Sequence, residues 1–265
     1  MPGPRPGDAY LGTAQYYARY RNDYPQEIVE RIRAGFGLDG RGRLLDLGCG
    51  TGKLLLALAS LFEEVVGLDP SKDMLREADR QCAQARVPNV RFVNGIAEDI
   101  GPELGVFRLV TFGEAFHWMD RDRVLSKCHD LIAPGGGIVI AGAGGSPYGP
   151  EPWREAMWTV VKRWLGEERR NAHWLTDRRR HEEVLADSRF VVFDQRDLTY
   201  TYTRDVGSIL GYLYSTSFCN RELLGDNVGG FEEDMRDALL RVNPSGLFSE
   251  TCHPQYILAR KPGET

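Results

Sequence analysis

RLLDLGCGTGK, the stretch Arg43–Lys53, decides the fold that this chain is expected to adopt. Residues 44–47 are typical of a fully buried strand because all are leucine except Asp46. Glycine then occupies every second position from 48 to 52, and the apolar run Leu54–Phe62 is typical of a helix. A strand, a glycine turn and a helix in this order let a ligand lie against the main chain at the helix N-terminus, where an anionic group is favoured.

Three classes of ligand use such a turn, and individual residues separate them. A phosphate-binding P-loop needs a glycine five residues before its final Gly-Lys pair and Ser or Thr after it, but Leu47 and Leu54 occupy those positions. A dinucleotide-binding G-x-G-x-x-G turn needs a glycine where Lys53 stands. The remaining pattern is D-x-G-x-G-x-G, with an acid inside the end of the strand.

Composition limits the class of protein. The 265 residues fit one large α/β domain, or a domain with an insertion, and the 42% of apolar residues supply a substantial core. The formal charge of −5 argues against a nucleic acid as the main partner. Acidic residues flank the basic clusters Arg169-Arg170 and 178–180, which we interpret as a solvated helix face.

Cysteine usage and hydropathy indicate the compartment. The five cysteines are scattered and lack CxxC spacing, which predicts reduced thiols rather than disulfides or a zinc site. No apolar stretch reaches the ~18 residues of a membrane-spanning helix. We therefore expect a cytoplasmic protein that neither holds a metal nor associates with a membrane.

The chain continues from the glycine turn as alternating strands and helices. Val65–Asp69 is typical of a second strand ending in an acid, and Asp69 lies 21 positions after Gly48. In doubly wound folds an acid near this spacing binds a ribose diol; the alternative is a surface carboxylate before Pro70. Met74, in a helix predicted over 72–85, either offers a soft apolar face to a purine or packs in the core.

The remaining elements follow the same alternation until residue 142. A helix follows Pro25, with Ile28, Ile32 and Phe36 as its apolar stripe. Further strands are predicted over 90–93, 109–112, 138–141, 191–193, 199–202 and 256–259, and further helices over 121–131, 153–165, 180–187, 206–217 and 231–242.

LDLGCGTG, residues 45–52, resembles the first motif of the class I S-adenosylmethionine (SAM)-dependent methyltransferases, which also share the Pro134–Gly137 turn. YARYRNDYP at 17–25, FGEAFHWMD at 112–120 and LGYLYSTSF at 210–218 are similar to the type 11 methyltransferases related to trans-aconitate methyltransferase. The resemblance implies an α/β, Rossmann-like, seven-stranded and mostly parallel sheet with helices on both faces. Its last strand is antiparallel, and a helical lid or insertion is added.

The same resemblance implies a small-molecule enzyme of bacterial primary or secondary metabolism, with SAM as cofactor and S-adenosylhomocysteine (SAH) as product. We expect four segments: an N-terminal lid and helix over 1–42, a SAM-binding core over 43–141, a helical insertion and return helix over 142–190, and sheet completion with substrate-side helices over 191–265. A monomer or homodimer is expected.

Methyl transfer from a sulfonium needs alignment more than a reactive side chain. Orientation contributes ~7–11 kcal/mol, whereas a general base contributes ~3–5 kcal/mol, so no nucleophile, metal or triad is required. Aromatic faces favour the sulfonium, although the tyrosines equally suit local packing. The predicted cofactor-binding residues are Tyr16, Tyr17, Asp46, Gly48, Cys49, Gly50, Gly52, Asp69, Pro70, Met74, Ala97, Glu98, Asp99, Gly113 and Glu114.

His117 is the candidate catalytic residue because it follows the strand end where the methyl group and the acceptor should meet. It acts either as a general base or by positioning the acceptor; His173, His181 and His253 are weaker candidates. The expected walls of the acceptor pocket are Trp118, Tyr148, Trp153, Met157 and Tyr214. Alternatives to a small-molecule methyltransferase are one acting on a protein or nucleic acid, a SAM-binding pseudoenzyme and an NAD-dependent oxidoreductase.

Overall fold

A computed structural model describes residues 10–166 and 177–263 of the chain. Arg169, Arg170 and His173, which the sequence analysis names, lie outside these residues. Within the described ranges, no helix combines the length and the apolar character needed to cross a bilayer.

The centre of the fold is a seven-stranded sheet. Nine strands are described: β1 (Arg43–Leu47), β2 (Glu64–Asp69), β3 (Val90–Asn94), β4 (Phe107–Gly113), β5 (Ile132–Gly142), β6 (Val191–Asp197), β7 (Tyr200–Asp205), β8 (Leu247–Cys252) and β9 (Gln255–Arg260). The large sheet has the order β3-β2-β1-β4-β5-β9-β6. Strands β1 to β5 pair parallel, and β9 pairs antiparallel with both β5 and β6. The expected Rossmann-like sheet with an antiparallel last strand is confirmed.

Helices cover both faces of this sheet. The described α-helices are α1 (Ala14–Tyr20), α2 (Gln26–Phe36), α3 (Lys53–Leu58), α4 (Lys72–Ala85), α5 (Arg121–Leu131), α6 (Pro152–Leu165), α7 (His181–Ala186), α8 (Val206–Tyr214), α9 (Arg221–Leu224) and α10 (Val228–Val242). Apolar residues of α2, α3 and α4 pack with Leu44 on one face, and those of α5 and α7 pack with Leu45 on the other. Successive strand residues point to opposite faces, so the continuous apolar run in β1 reflects helices on both sides.

A third apolar cluster lies outside the large sheet. It combines α6, α8 and α10 with Phe248 of β8, and β7 and β8 form a two-stranded antiparallel sheet. The sequence analysis missed β8 and α1. Both are short, and α1 is stabilised by packing against α8, a contact between segments far apart in sequence.

Six predicted boundaries were wrong by three residues or more. The strands predicted over 191–193 and 199–202 extend to Asp197 and Asp205, and the helix predicted over 231–242 begins at Val228. The α-helix predicted over 54–62 ends at Leu58 and continues as a 3₁₀ turn. The fifth strand begins at Ile132 instead of residue 138, so that the Pro134–Gly137 turn is an irregular part of β5. The helix predicted over 206–217 ends at Tyr214, because the hydroxyls of Ser215 and Thr216 donate to carbonyls three residues earlier. The four-segment division at residues 42, 141 and 190 stays a prediction.

Candidate active site

The glycine turn after β1 is tied to the end of β2. The backbone N–H groups of Gly48 and Cys49 both donate to the carbonyl of Leu68, at 2.8 and 3.0 Å. Gly48 has φ +69°, and a Cβ there would lie 2.5 Å from the Cβ of Ala115. Left-handed backbone and close approach therefore both require glycine at this position.

A cavity of about 270 Å³, called here the cofactor cavity, opens between this turn and the carboxyl ends of β2 and β4. Such crevices hold the ligands of open α/β sheets. Eleven residues named by the sequence analysis line it: Tyr17, Gly48, Gly50, Asp69, Pro70, Met74, Ala97, Glu98, Gly113, Glu114 and Trp118.

Asp69 is held at the edge of the cofactor cavity by two backbone donors. Its Oδ2 accepts the N–H of Gly50 at 2.9 Å, and its Oδ1 accepts that of Ser71 at 2.8 Å. Burial raises the pKa of this carboxyl group, and the two hydrogen bonds oppose that rise. A carboxylate oxygen can accept more than one hydrogen bond, so both oxygens can also receive a vicinal pair of hydroxyl groups.

A second cavity of about 40 Å³ continues past Gly48, Gly50 and Gly113 toward Asp46. The hydroxyl of Thr111 donates to Asp46 Oδ1 at 2.6 Å, yet burial raises the pKa of Asp46 to about 7. Arg21 and Thr51 also line this cavity. Within the described ranges, Thr51 Oγ1 is a buried side-chain polar atom without a hydrogen-bond partner. An acidic and a basic side chain, Asp46 and Arg21, thus line the same small cavity. The ammonium and carboxylate groups of an amino acid would need such a pair.

Tyr10, Tyr17 and Trp118 form an aromatic wall of the cofactor cavity. The ring centroid of Tyr10 lies 6.2 Å from that of Tyr17 and 5.9 Å from that of Trp118. Residue selection from the sequence missed several lining residues: Tyr10, Arg21, Thr51, Leu68, Ser71, Ile96, Ala115 and Met119. Most of these residues lie next to a sequence motif that had already been identified, and this position in the sequence could have indicated them.

Five predicted cofactor residues do not line the cofactor cavity, and one of them, Asp46, lines the second cavity. Tyr16 packs against Tyr214, with ring centroids 5.3 Å apart. Cys49 lines the second cavity, where burial raises the pKa of its thiol. Gly52 is the N-cap of α3, and Asp99 is paired with Arg123 at 3.5 Å.

The aromatic residues predicted to wall the acceptor pocket lie mostly in the third apolar cluster. Trp153, Met157 and Tyr214 are buried there. Trp153 Nε1 donates to the carbonyl of Ser249 at 2.9 Å, and Tyr148 stacks on Trp158 with centroids 5.1 Å apart. The structure therefore separates these side chains from Trp118, which lines the cofactor cavity.

His117 faces a third cavity of about 80 Å³, on the far side of Glu114 from the glycine turn. His181 and Gln255 line the same cavity, although they come from segments far apart in sequence. Burial lowers the pKa of His117 to about 4, helped by the neighbouring His181 and Arg121. The imidazole is therefore uncharged near neutral pH.

Glu114 lines all three cavities. Its backbone is left-handed, with φ +54°, a strained conformation for a residue with a side chain. Its Oε1 accepts the N–H of Ala143 at 2.8 Å, and burial raises the pKa of the carboxyl group. Such strain, held by surrounding contacts, is typical of functional positions.

Residues 44–136 match the family described as a methyltransferase domain. They are a class I methyltransferase domain. The glycine turn, Asp69, Glu114 and His117 lie inside it, whereas Tyr17 and Arg21 precede it and His181 and Gln255 follow it.

The chain is similar to curated methyltransferases, among them the following two. The chain is 32% identical over 138 residues to "Probable S-adenosylmethionine-dependent methyltransferase CRG1" of Saccharomyces cerevisiae, covering 49% of this chain and 46% of that protein. It is 35% identical over 101 residues to trans-aconitate 2-methyltransferase of Deinococcus radiodurans, covering 37% of this chain and 36% of that protein. The chain thus spans less than half the length of each of these relatives.

Solved structures extend the similarity beyond the methyltransferase domain. The YcgJ protein of Bacillus subtilis matches with a TM-score of 0.54 and 16% identity, covering 91% of this chain and 100% of that chain. Precorrin 8W decarboxylase of Methanobacterium thermoautotrophicum matches with a TM-score of 0.53 and 14% identity, covering 97% and 99%. These similarities show the fold alone, so the reaction has to be inferred from the residues of the candidate site.

Proposed function

We propose that this chain is a SAM-dependent methyltransferase that transfers a methyl group to an O, N or C atom of a small-molecule acceptor. One observation carries the proposal: the buried Asp46 and Asp69, together with Glu114, line joined cavities at the glycine turn of the methyltransferase domain. Three carboxyl groups around these cavities favour a cationic ligand.

The chemistry of SAM matches these walls. When bound, SAM supplies a methyl group activated on a positively charged sulfur. Asp69 offers acceptors for the ribose hydroxyls, and Ile96, Ala97 and Met74 offer apolar surface for the adenine. Asp46 suits the ammonium group, while Arg21 and the unpartnered hydroxyl of Thr51 suit the carboxylate.

Positioning accounts for most of the catalysis. Alignment of the acceptor with the methyl group is worth ~7–11 kcal/mol. The aromatic wall of Tyr10, Tyr17 and Trp118 covers the cofactor cavity, which excludes water and presents π faces to a cation.

A small acceptor is favoured over a macromolecule. The third cavity, next to Glu114, measures about 80 Å³, and the chain carries a net charge of −5, which opposes binding of a nucleic acid. The name trans-aconitate 2-methyltransferase, given to one relative, also denotes a small acceptor.

Calorimetric titration tests the first half of the proposal. SAM and SAH are expected to bind at a 1:1 ratio, whereas NADH is expected not to bind, because Lys53 stands where a dinucleotide turn needs glycine. Tight binding of NADH with none of SAM would replace the proposal with an oxidoreductase.

Turnover tests the second half. Methyl-labelled SAM is incubated with a small-molecule fraction and, separately, with the protein and nucleic-acid fractions of a cell extract. Label is expected in the small-molecule fraction. Label confined to a macromolecular fraction would overturn the acceptor class, and SAM binding without any transfer would indicate a pseudoenzyme.

A further inference from the structure

The proposed function does not yet assign a part of either ligand to the third cavity. It lies at the carboxyl ends of β4 and β5 and shares Glu114 and Ala115 with the cofactor cavity. Its volume of about 80 Å³ equals that of two to three water molecules at ~30 Å³ each. A space of this size receives one end of a metabolite.

Polar and apolar groups both line this cavity. Its polar groups are the carboxyl of Glu114, the imidazoles of His117 and His181, and the amide of Gln255. Its apolar side chains are Phe112, Phe116, Ile140 and Ile257. A lining of apolar side chains with a few polar groups is typical of a small-ligand site.

The charges around the cavity select an uncharged group. Glu114 opposes an anion. A cation is opposed by Arg21, which acts on Glu114, and by Arg121, whose Nη1 lies 3.3 Å from Nδ1 of His181. Arg121 is itself buried and paired with Asp177 at 2.7 Å. Both imidazoles have a lowered pKa and are neutral hydrogen-bonding groups near pH 7.

We propose that the third cavity binds the reacting end of the acceptor, a compact uncharged group with an O–H or N–H, and that Glu114 accepts its proton. This inference rests on the proposed function and adds an acceptor class to it. Transfer of the methyl group forms the bond from carbon to O or N and leaves the electron pair of the broken S–C bond on sulfur. The proton of the O–H or N–H then passes to the carboxylate of Glu114.

The geometry of Glu114 suits this role. The N–H of Ala143 fixes Oε1 at 2.8 Å, and a carboxylate has about four acceptor sites, so capacity for the acceptor's O–H or N–H remains. The side chain borders both the cofactor cavity and the third cavity. A carboxyl group with a raised pKa is also a stronger base than an ordinary glutamate. His117 then positions the acceptor beside Glu114.

The test measures binding and needs no knowledge of the natural acceptor. Pyrazole is a compact uncharged probe with one N–H, and 1-methylpyrazole is the same ring without it. Each is titrated into the full-length protein saturated with SAH and followed by saturation-transfer NMR. Pyrazole is expected to bind, and 1-methylpyrazole about tenfold more weakly, because it cannot donate a hydrogen bond to a carboxylate.

Two variants test the third cavity, one by changing its charge and the other by reducing its volume. Glu114→Gln keeps an oxygen for the Ala143 N–H but removes the negative charge. Gly142→Ala adds a methyl group whose carbon would lie 3.3 Å from Glu114 Oε1 and 3.4 Å from Cγ of Gln255, which narrows the cavity. Both should weaken pyrazole binding about tenfold or more. Gly229→Ala in α10 is the matched control, because nothing lies within 4 Å of its added carbon.

Affinity for SAH and thermal unfolding of each variant show whether it is folded. Pyrazole that fails to bind the SAH complex, or that binds Glu114→Gln and Gly142→Ala as it binds the parent, overturns this inference and leaves the proposed function intact. Failure of SAH itself to bind overturns the proposed function. Pyrazole is then titrated into the free protein, where the same two variants decide whether the third cavity is a site.

Discussion

Asp69 connects the glycine turn to the end of β2 through two short hydrogen bonds from backbone N–H groups. Its side chain is therefore already oriented before a ligand arrives. If it accepts the ribose hydroxyls, Asp69→Ala should weaken SAM binding by roughly 2–4 kcal/mol, because hydrogen bonds to a charged group contribute ~1.5–3 kcal/mol each and are not additive.

Calorimetry on folded Asp69→Ala measures this effect. Asp130→Ala is the control, since it removes an exposed carboxylate that pairs with Arg189 away from the three cavities. Equal SAM affinity in the two variants would contradict the assignment of Asp69.

Asp46 should make SAM binding depend on pH. Its pKa of about 7 means that it is largely protonated below neutrality, and a nearby ammonium group favours its ionised form. SAM affinity is expected to rise from pH 6 to pH 8, and binding near pH 7 should release a proton, detectable by calorimetry in buffers of different ionisation enthalpy. In Asp46→Asn both effects should be smaller; a proton release of the parental size there would assign it to another group.

His117 should make the protein sensitive to acid. Its pKa falls from 6.5 to about 4 on folding, so between these values the unfolded chain binds more protons than the folded one, and acidification reduces the free energy of unfolding. In His117→Gln the loss of stability between pH 7 and pH 4.5, measured by urea unfolding, should be smaller than in the parent. An unchanged loss would show that the imidazole is not buried as described.

At the scale of elements, the packing of α1 on α8 closes the cofactor cavity. A Cβ at Gly211 of α8 would lie within 2.5 Å of three ring carbons of Tyr20, and α1 also carries Tyr17 of the cavity wall. Gly211→Ala should therefore displace α1 and destabilise the protein by ~1–3 kcal/mol through overpacking, with weaker SAH binding.

Gly207→Ala provides the comparison within the same helix. The nearest atom to its added carbon is an oxygen of Asp205 at 3.4 Å, so it should leave SAH affinity unchanged. Unfolding curves measure the stability of both variants, and titrations measure their affinity for SAH. Equal SAH affinities would show that α1 is not needed to close the cofactor cavity.

At the scale of the whole molecule, a buried ionic network joins the N-terminal segment to the third apolar cluster. Glu250 of β8 pairs with Arg154 of α6 at 2.9 Å and with Arg204 of β7. Arg204 Nη2 also donates to Asn22 Oδ1 at 2.7 Å. Three distant segments of the chain meet at this carboxylate.

Removing one partner of such a network leaves charges buried without compensation, which costs ~3–5 kcal/mol. Glu250→Ala should lower the free energy of urea unfolding by this amount, while Asp130→Ala, which breaks an exposed pair, should cost ~0–1 kcal/mol. Costs of similar size in the two variants would mean that the network contributes no more than a surface pair.

The amino-acid sequence by itself determined the core of the fold and much of the lining of the cofactor cavity. The glycine turn, the apolar run of β1 and the acid at the end of β2 are local features, because positive φ values and continuous apolar runs restrict the backbone wherever they occur. The alternation of strands and helices up to residue 142 was also predictable, and Asp69 and Gly48 both line the cofactor cavity.

Only the tertiary structure decided which aromatic residues reach the cavities and where the third cavity lies. Tyr16 and Tyr17 are neighbours in sequence, but α1 directs Tyr17 to the cofactor cavity and Tyr16 toward Tyr214. Trp153 and Met157 pack against α8 and α10 instead, and His181 and Gln255 meet Glu114 from distant segments. The direction of an aromatic side chain depends on packing partners remote in sequence, and local pattern does not encode them.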